Sequence, residues 1–197
     1  MLHMVFNATK KSIKASINAI AFRWSIIKKG GHAGKPIIIS NRKYICAGSR
    51  VRIKDYYRIE CYPSFAGIKL PPPCLEIHDN VIVGYHFTTL VANKIQIGSQ
   101  TIISSNVSLI SENHGVSVET DVPFHAQPLE TGPITIGKGC WIGQNVVVLA
   151  NVCIGDKCVI GANSVVTRDI PSYSIAVGAP AKVIKQYNFE LHSWVKV

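Results

Sequence analysis

From Ile136 the chain falls into units of six residues, IGKGCW, IGQNVV, VLANVC, IGDKCV and IGANSV, and Val166 opens a further unit. The first position of each unit forms an aliphatic column: Ile136, Ile142, Val148, Ile154, Ile160 and Val166. The fifth position holds small or medium side chains, Cys140, Val146, Val152, Cys158 and Ser164. Two inward positions in every six match neither the helical period of about 3.6 nor the alternation of a simple strand. Upstream the same ruler passes through Ile77, Val81, Val83, Phe87 and Thr89, is reset by two extra residues near Ala92 to Lys94, and resumes as IGSQTI and ISSNVS up to Leu109. Residues 45–50 (ICAGSR) with Val51 read as a degenerate unit, and residues 57–74 lose the pattern.

Six residues are too few for an ordinary strand with its loop, so the pattern predicts an all-β solenoid of short strands. Three units to a turn place each residue over the one 18 places on, at the roughly 4.8 Å spacing of paired strands. The expected core is a set of ladders: Ile136 with Ile154, Ile142 with Ile160, Val148 with Val166 and Cys140 with Cys158. Glycine after the aliphatic residue suits a corner, where positive φ or close backbone approach is needed.

The ruler breaks once in an informative place. After Leu109 the next aliphatic corner should fall at residue 115, yet it restarts at Ile136, an excess of 21 residues. This excursion, roughly residues 113–133, contains Gly115, Pro123, Pro128, Gly132 and Pro133, which exclude regular helix or sheet. A loop of such length inside a compact domain is usually functional or disordered. His114 stands where it departs, in LISENHGV.

The repeats, together with VVTRDIP (165–171) and VGAPAKVI (177–184), make the chain resemble the hexapeptide-repeat acyltransferases with a left-handed parallel β-helix. It is similar in particular to the galactoside and maltose O-acetyltransferases and to the O-acetyltransferases of lipopolysaccharide and capsule assembly. The resemblance covers about residues 75–185. It implies an acetyl-CoA-dependent O-acetyltransferase that acts on a saccharide in surface-polysaccharide assembly, as a homotrimer with sites at subunit boundaries, the arm at 113–133 helping to build each site. It places the catalytic base at His114, and the chemistry suits that role. Transfer from a thioester to a hydroxyl needs a group titrating near neutrality to take the hydroxyl proton, and needs no cysteine or serine nucleophile. His125 is the alternative base; His86, Asn113 and His125 are acceptor-side candidates; and Glu112 or Asn113 could orient the imidazole. For coenzyme A the resemblance carries Trp141, Gln144, Gly161 and Ala162 onto the pantetheine groove, and Thr167, Arg168, Lys182 and Lys185 onto phosphate and adenosine contacts, where cations suit the diphosphate. A backbone N–H near residues 141–144 is the expected oxyanion donor. No metal is expected.

Composition and charge refine this picture. Hydrophobic residues make up 47% of the 197 and charged residues 16%, which excludes a disordered chain or coiled coil. Residues 1–60 hold 13 Lys and Arg against Asp55 and Glu60, a surplus of +11, whereas residues 61–197 hold 8 against 9. Basicity confined to one end, without a nucleic-acid-binding signature, implies an anionic surface or ligand rather than a nucleic-acid groove. Within residues 5–29, Ile13, Ile17, Ile20, Trp24 and Ile27 recur at helical spacing among Lys10, Lys11, Lys14, Arg23, Lys28 and Lys29. This amphipathic helix either caps the open end of the solenoid or contacts an anionic membrane face. Asn18 and Arg23 interrupt any signal-peptide core, so the expected address is cytoplasmic, with peripheral membrane contact as the variant. The six cysteines lack a CxxC pair and are expected to be buried free thiols.

The expected organisation is a basic helical segment (1–34), a β-helix domain (35–185) with irregular coils at 35–74 and regular coils at 75–112 and 134–170, and a C-terminal tail (186–197). Other functional classes remain open. N-acetylation of an amino-sugar nucleotide would use the same base and thioester. A zinc enzyme like the γ-type carbonic anhydrases would need a second histidine near His114, where position 119 holds Glu. A non-catalytic scaffold would have no use for His114 and the arm.

Overall fold

The structure is a computed structural model, and it describes residues 16–72 and 74–197. It is built almost wholly of short strands in three parallel sheets, with one helix over residues 16–27. Successive strands are dealt to the three sheets in rotation. Arg52–Ile53, Ile82–Val83, Ile102–Ile103, Trp141–Ile142 and Val159–Ile160 lie side by side in the first sheet. Tyr57–Cys61, Thr88–Val91, Ser108–Ile110, Val147–Val148 and Val165–Val166 make up the second, and Ile45–Ala47, Cys74–Ile77, Lys94–Ile97, Ile134–Ile136 and Val152–Ile154 the third.

The registers follow the six-residue ruler. Ile136 pairs with Ile154, Ile142 with Ile160 and Val148 with Val166. These ladders meet in one core with Val81, Phe87, Ile97 and Leu109, all at most 2% exposed. Upstream the pairing interval is longer, as in Ile82 with Ile102 and Thr88 with Ser108. The two extra residues there, Ala92 and Asn93, give their N–H groups to the buried Ser111 hydroxyl at 2.9 and 3.2 Å.

Three segments differ from the sequence expectation. Residues 57–61, where the ruler is lost, form a regular strand with alternate residues buried, paired with Thr88–Val91. The interruption proper runs from Cys61 to Cys74 and carries a small antiparallel hairpin, Ser64–Phe65 with Ile68–Lys69. At the C-terminal end, Ser174–Gly178, Ala181–Asn188 and Ser193–Lys196 extend the first sheet, the last two antiparallel, so residues 186–197 include ordered strand.

The helix covers the first strands. Phe22 and Ile26 are fully buried, Phe22 meets Tyr57 edge-on with centroids 6.1 Å apart, and the Arg23 Nε donates to the Ala33 carbonyl at 3.1 Å. The predicted stripe of Ile17, Ile20, Trp24 and Ile27 is on the helix but not on its packed side: each is between 49 and 61% exposed. Ile13, Lys10, Lys11 and Lys14 lie outside the described residues. The cysteines also divide: Cys61, Cys140 and Cys158 are buried, whereas Cys46 and Cys153 are exposed, and all six are free thiols. The exposed pair sits on outward positions of the third sheet, where strand alternation turns every second side chain to solvent.

Candidate active site

The arm leaves the stack between the second and third sheets. Its base is a short antiparallel ladder, Glu112–His114 with Leu129–Thr131, which corrects the expectation that it holds no regular sheet. Further out, the arm is organised by one amide. Gln127, 3% exposed, accepts the Ser117 N–H at 2.9 Å through Oε1 and donates through Nε2 to the Ser117 and Val122 carbonyls, each at 2.9 Å. Three bonds to backbone from one buried side chain hold the loop without a hydrophobic core of its own.

His114 lies at the outer end of this ladder, opposite Leu129, in a cavity of about 110 Å³ lined by Tyr62, Phe65, Glu112 and Leu129. The Phe65 ring, brought in by the hairpin, meets the imidazole edge-on with centroids 5.3 Å apart. The imidazole Nδ1 is shielded from solvent and has no hydrogen-bond partner. A buried polar atom left unpaired calls for a partner from elsewhere, a ligand or another chain. Beside it, burial first and then the Glu60 carboxylate push the Tyr62 phenol up to about 12, so it stays protonated and shares a hydrogen bond with Glu60. Glu60 also pairs with Arg58. The resulting pocket has aromatic walls, two neighbouring carboxylates and a titratable imidazole.

The other expected residues are placed as follows. Glu112 lines both the His114 cavity and a neighbouring one of about 350 Å³, which Asn113 lines with Glu130 and Asn151. His125 is exposed in the turn Phe124–Ala126, which lies against the Glu112–His114 strand. His86 is exposed at a corner between the first and second sheets, stacked on Tyr56 with centroids 5.1 Å apart. None of Trp141, Gln144, Gly161, Ala162, Thr167, Arg168, Lys182 and Lys185 lines the His114 cavity. Trp141 projects from the first sheet, 56% exposed, its Nε1 3.4 Å from the Ser104 hydroxyl. Gln144 and Ala162 are exposed at corners of neighbouring coils, and the Gln144 carbonyl accepts the Asn163 N–H at 2.8 Å. Gly161 has a packing reason of its own, since a Cβ there would lie 2.7 Å from Val177 Cγ1. Thr167, Arg168, Lys182 and Lys185 are exposed toward the C-terminal end. As for an oxyanion donor, the Trp141 and Gly143 N–H groups are taken by the Cys158 and Ile160 carbonyls at 2.9 and 2.8 Å, which removes both from that role.

Sequence reasoning missed Tyr62, Phe65, Glu60 and Gln127. The first three flank a gap in the ruler, and the available signal was the turn-rich YPSFAG (62–67) breaking the repeat at the same point of a coil as the His114 arm.

Residues 133–168 match the family model described as bacterial transferase hexapeptide (six repeats). The chain carries the hexapeptide repeat of bacterial transferases. Among curated sequences, the putative lipopolysaccharide biosynthesis O-acetyl transferase WbbJ of Escherichia coli (strain K12) is 38% identical over 124 residues, which is 60% of this chain and 63% of that protein. The galactoside O-acetyltransferase of the same strain is 36% identical over 129 residues, 60% of each chain. The chain thus spans about three fifths of the length of these relatives. A maltose O-acetyltransferase from Clostridium difficile 630 superposes with a TM-score of 0.62 at 29% identity, over 74% of this chain and 71% of that one. AntD, an N-acyltransferase from Bacillus cereus, shares the fold with a TM-score of 0.62 at 21% identity, over 84% and 89%.

Proposed function

We propose that the protein transfers an acetyl group from acetyl-CoA to a saccharide hydroxyl in surface-polysaccharide assembly, with His114 as the general base. The observation that carries this reading is the His114 cavity, which holds an imidazole with a buried unpaired nitrogen between an aromatic wall and a carboxylate. Aromatic faces and carboxylates are the groups that hold a pyranose ring and its hydroxyls. The relatives named for O-acetyl transfer to galactosides and in lipopolysaccharide biosynthesis support the same chemistry.

In this reaction the acceptor hydroxyl gives its proton to the imidazole as its oxygen bonds to the thioester carbonyl carbon. The tetrahedral adduct then collapses, the carbon–sulfur bond breaks, and the departing thiolate takes the proton back from the imidazolium. The ester and the free thiol are the products, and the enzyme returns unchanged. Phe65 limits how the imidazole can tilt, and the oxygen of the Tyr62 phenol, whose proton is held by Glu60, can accept from an acceptor hydroxyl.

The rotation of strands through three parallel sheets supports a parallel β-helix, and from the hexapeptide repeat we assign it the left hand. We further assign a trimer. Outside the first sheet Ile82, Ile102 and Trp141 stand in register and are 38, 46 and 56% exposed, an apolar column suited to a neighbouring copy. The residues carried over for coenzyme A lie away from His114 in one chain, so a site at a subunit boundary would unite them.

The test is thiol release from acetyl-CoA with a panel of saccharides and amino-sugar nucleotides, comparing native protein with His114→Ala at matched folding. Acceptor-dependent release should fall by about 10²-fold or more in the variant, in keeping with a positioned histidine base. Release left unchanged by the substitution would move the base elsewhere. Preference for an amine acceptor would redirect the reading to N-acetylation.

A further inference from the structure

The helix over residues 16–27 has more apolar surface than its packing uses. Phe22 and Ile26 are fully buried against the first coil, yet Ile17, Ile20, Trp24 and Ile27 are 61, 57, 59 and 49% exposed. Their spacing in steps of three and four puts them on one face, and Ile20, Trp24 and Ile27 line a shallow depression with Arg23. Four large apolar side chains turned outward on one face of the helix mark an interaction surface.

The charges around this strip are of one sign. The chain has no Asp or Glu before Asp55, while residues 1–54 contain 12 Lys and Arg. Lys28 and Lys29 are exposed where the helix ends. The Lys29 ammonium donates to the Ala47 carbonyl at 2.6 Å, which leaves the Lys28 ammonium as the exposed cation beside the strip. Pairing this face with a second copy would bring two uncompensated sets of cations together, which electrostatic complementarity disfavours.

We propose that this face docks on an anionic lipid bilayer. The helix lies in the interface with Ile17, Ile20, Trp24 and Ile27 against the acyl boundary, and Lys28 meets headgroup phosphates. Tryptophan suits that depth because its ring is apolar and its N–H is not. No helix among the described residues is long and apolar enough to cross a membrane, and the contact proposed is superficial. It places the first-coil end of the stack on the bilayer and does not depend on His114 being the catalytic base.

The experiment is sedimentation of the full chain with phosphatidylcholine vesicles, with and without about 30 mol% phosphatidylglycerol, at low and high salt. Native protein should bind the anionic vesicles at least about tenfold better than the neutral ones and release at high salt. The double variant Ile20→Ser/Trp24→Ser, which leaves Phe22 and Ile26 intact, should lose about tenfold or more of that binding. It should keep the native melting temperature, oligomeric state and thiol release with a soluble acceptor. Lys28→Gln should cost roughly fivefold. Equal binding to both vesicle types, or a double variant that binds as native protein does, would overturn the proposal. A double variant that elutes as a smaller species would also overturn it and assign the strip to contact between copies.

Discussion

Asparagine and glycine divide the work at the corners of the stack. Asn80, Asn106, Asn145, Asn151 and Asn163 occupy the left-handed region with φ of 59 to 62°, where asparagine is tolerated better than most residues with a side chain. The repeat glycines have another reason. A Cβ on Gly98 would lie 2.5 Å from the Gly137 carbonyl carbon, and one on Gly137 would lie 2.6 Å from that of Gly155, so each coil needs glycine to let the next approach. From the sequence, positive φ and close approach were both open explanations for these glycines; only the stacking decides between them. Gly98→Ala should therefore destabilise the fold by about 1–3 kcal/mol, as overpacking does, whereas Asn106→Gly should change it by less than about 1 kcal/mol. Thermal melting of the two variants checks this, and equal losses would contradict it.

The two excursions that surround His114 show where the sequence stops being informative. Over residues 136–166 every coil repeats the same inward positions, so the ladders could be assigned residue by residue. Tyr57–Cys61 buries Tyr57, Ile59 and Cys61 just as regularly, but lacks the glycine and the aliphatic column that define the ruler. The ladder at the base of the arm joins polar residues, Glu112 with Thr131 and Asn113 with Glu130, a pairing that no hydrophobic pattern announces. The helix misled in another way: its most apolar stripe is the exposed one, because only two side chains fit the end of the stack. At this scale Phe65→Ala should raise the acceptor KM by about tenfold, as loss of an aromatic wall does, with the acetyl-CoA KM unchanged. Steady-state kinetics with each substrate varied would separate this from a general loss of folding. Gln127→Leu, which removes all three of its bonds to backbone, should speed proteolytic cleavage within residues 115–127 severalfold while the melting temperature stays near native, since the arm opens as a local unit. A melting temperature that fell together with arm protection would show that the arm and the stack unfold as one.

For the molecule as a whole, the outer column of the first sheet is the feature with most leverage. If Ile82, Ile102 and Trp141 meet a neighbouring copy, Ile102→Asp should reduce the species seen in light scattering to about one third of its mass, because a buried unpaired carboxylate is not tolerated in an interface. Thiol release should then fall by about tenfold or more, while the strand signature in circular dichroism persists. An undiminished assembly would place the contact on another face. The fold itself was the most legible level, since a period of six over several coils has few physical solutions; the subunit arrangement was the least, since outward residues obey no period. One feature of the path also bears on how such a molecule changes over time. Both excursions, from Cys61 to Cys74 and from Ile110 to Ile134, leave at the crossing from the second sheet to the third, which elsewhere is made directly, from Val91 to Lys94 and from Val148 to Val152. Length can be added or removed at that one edge without disturbing a single rung, so the loops around His114 can be exchanged, much as a tool takes a new bit, while the stack is inherited intact.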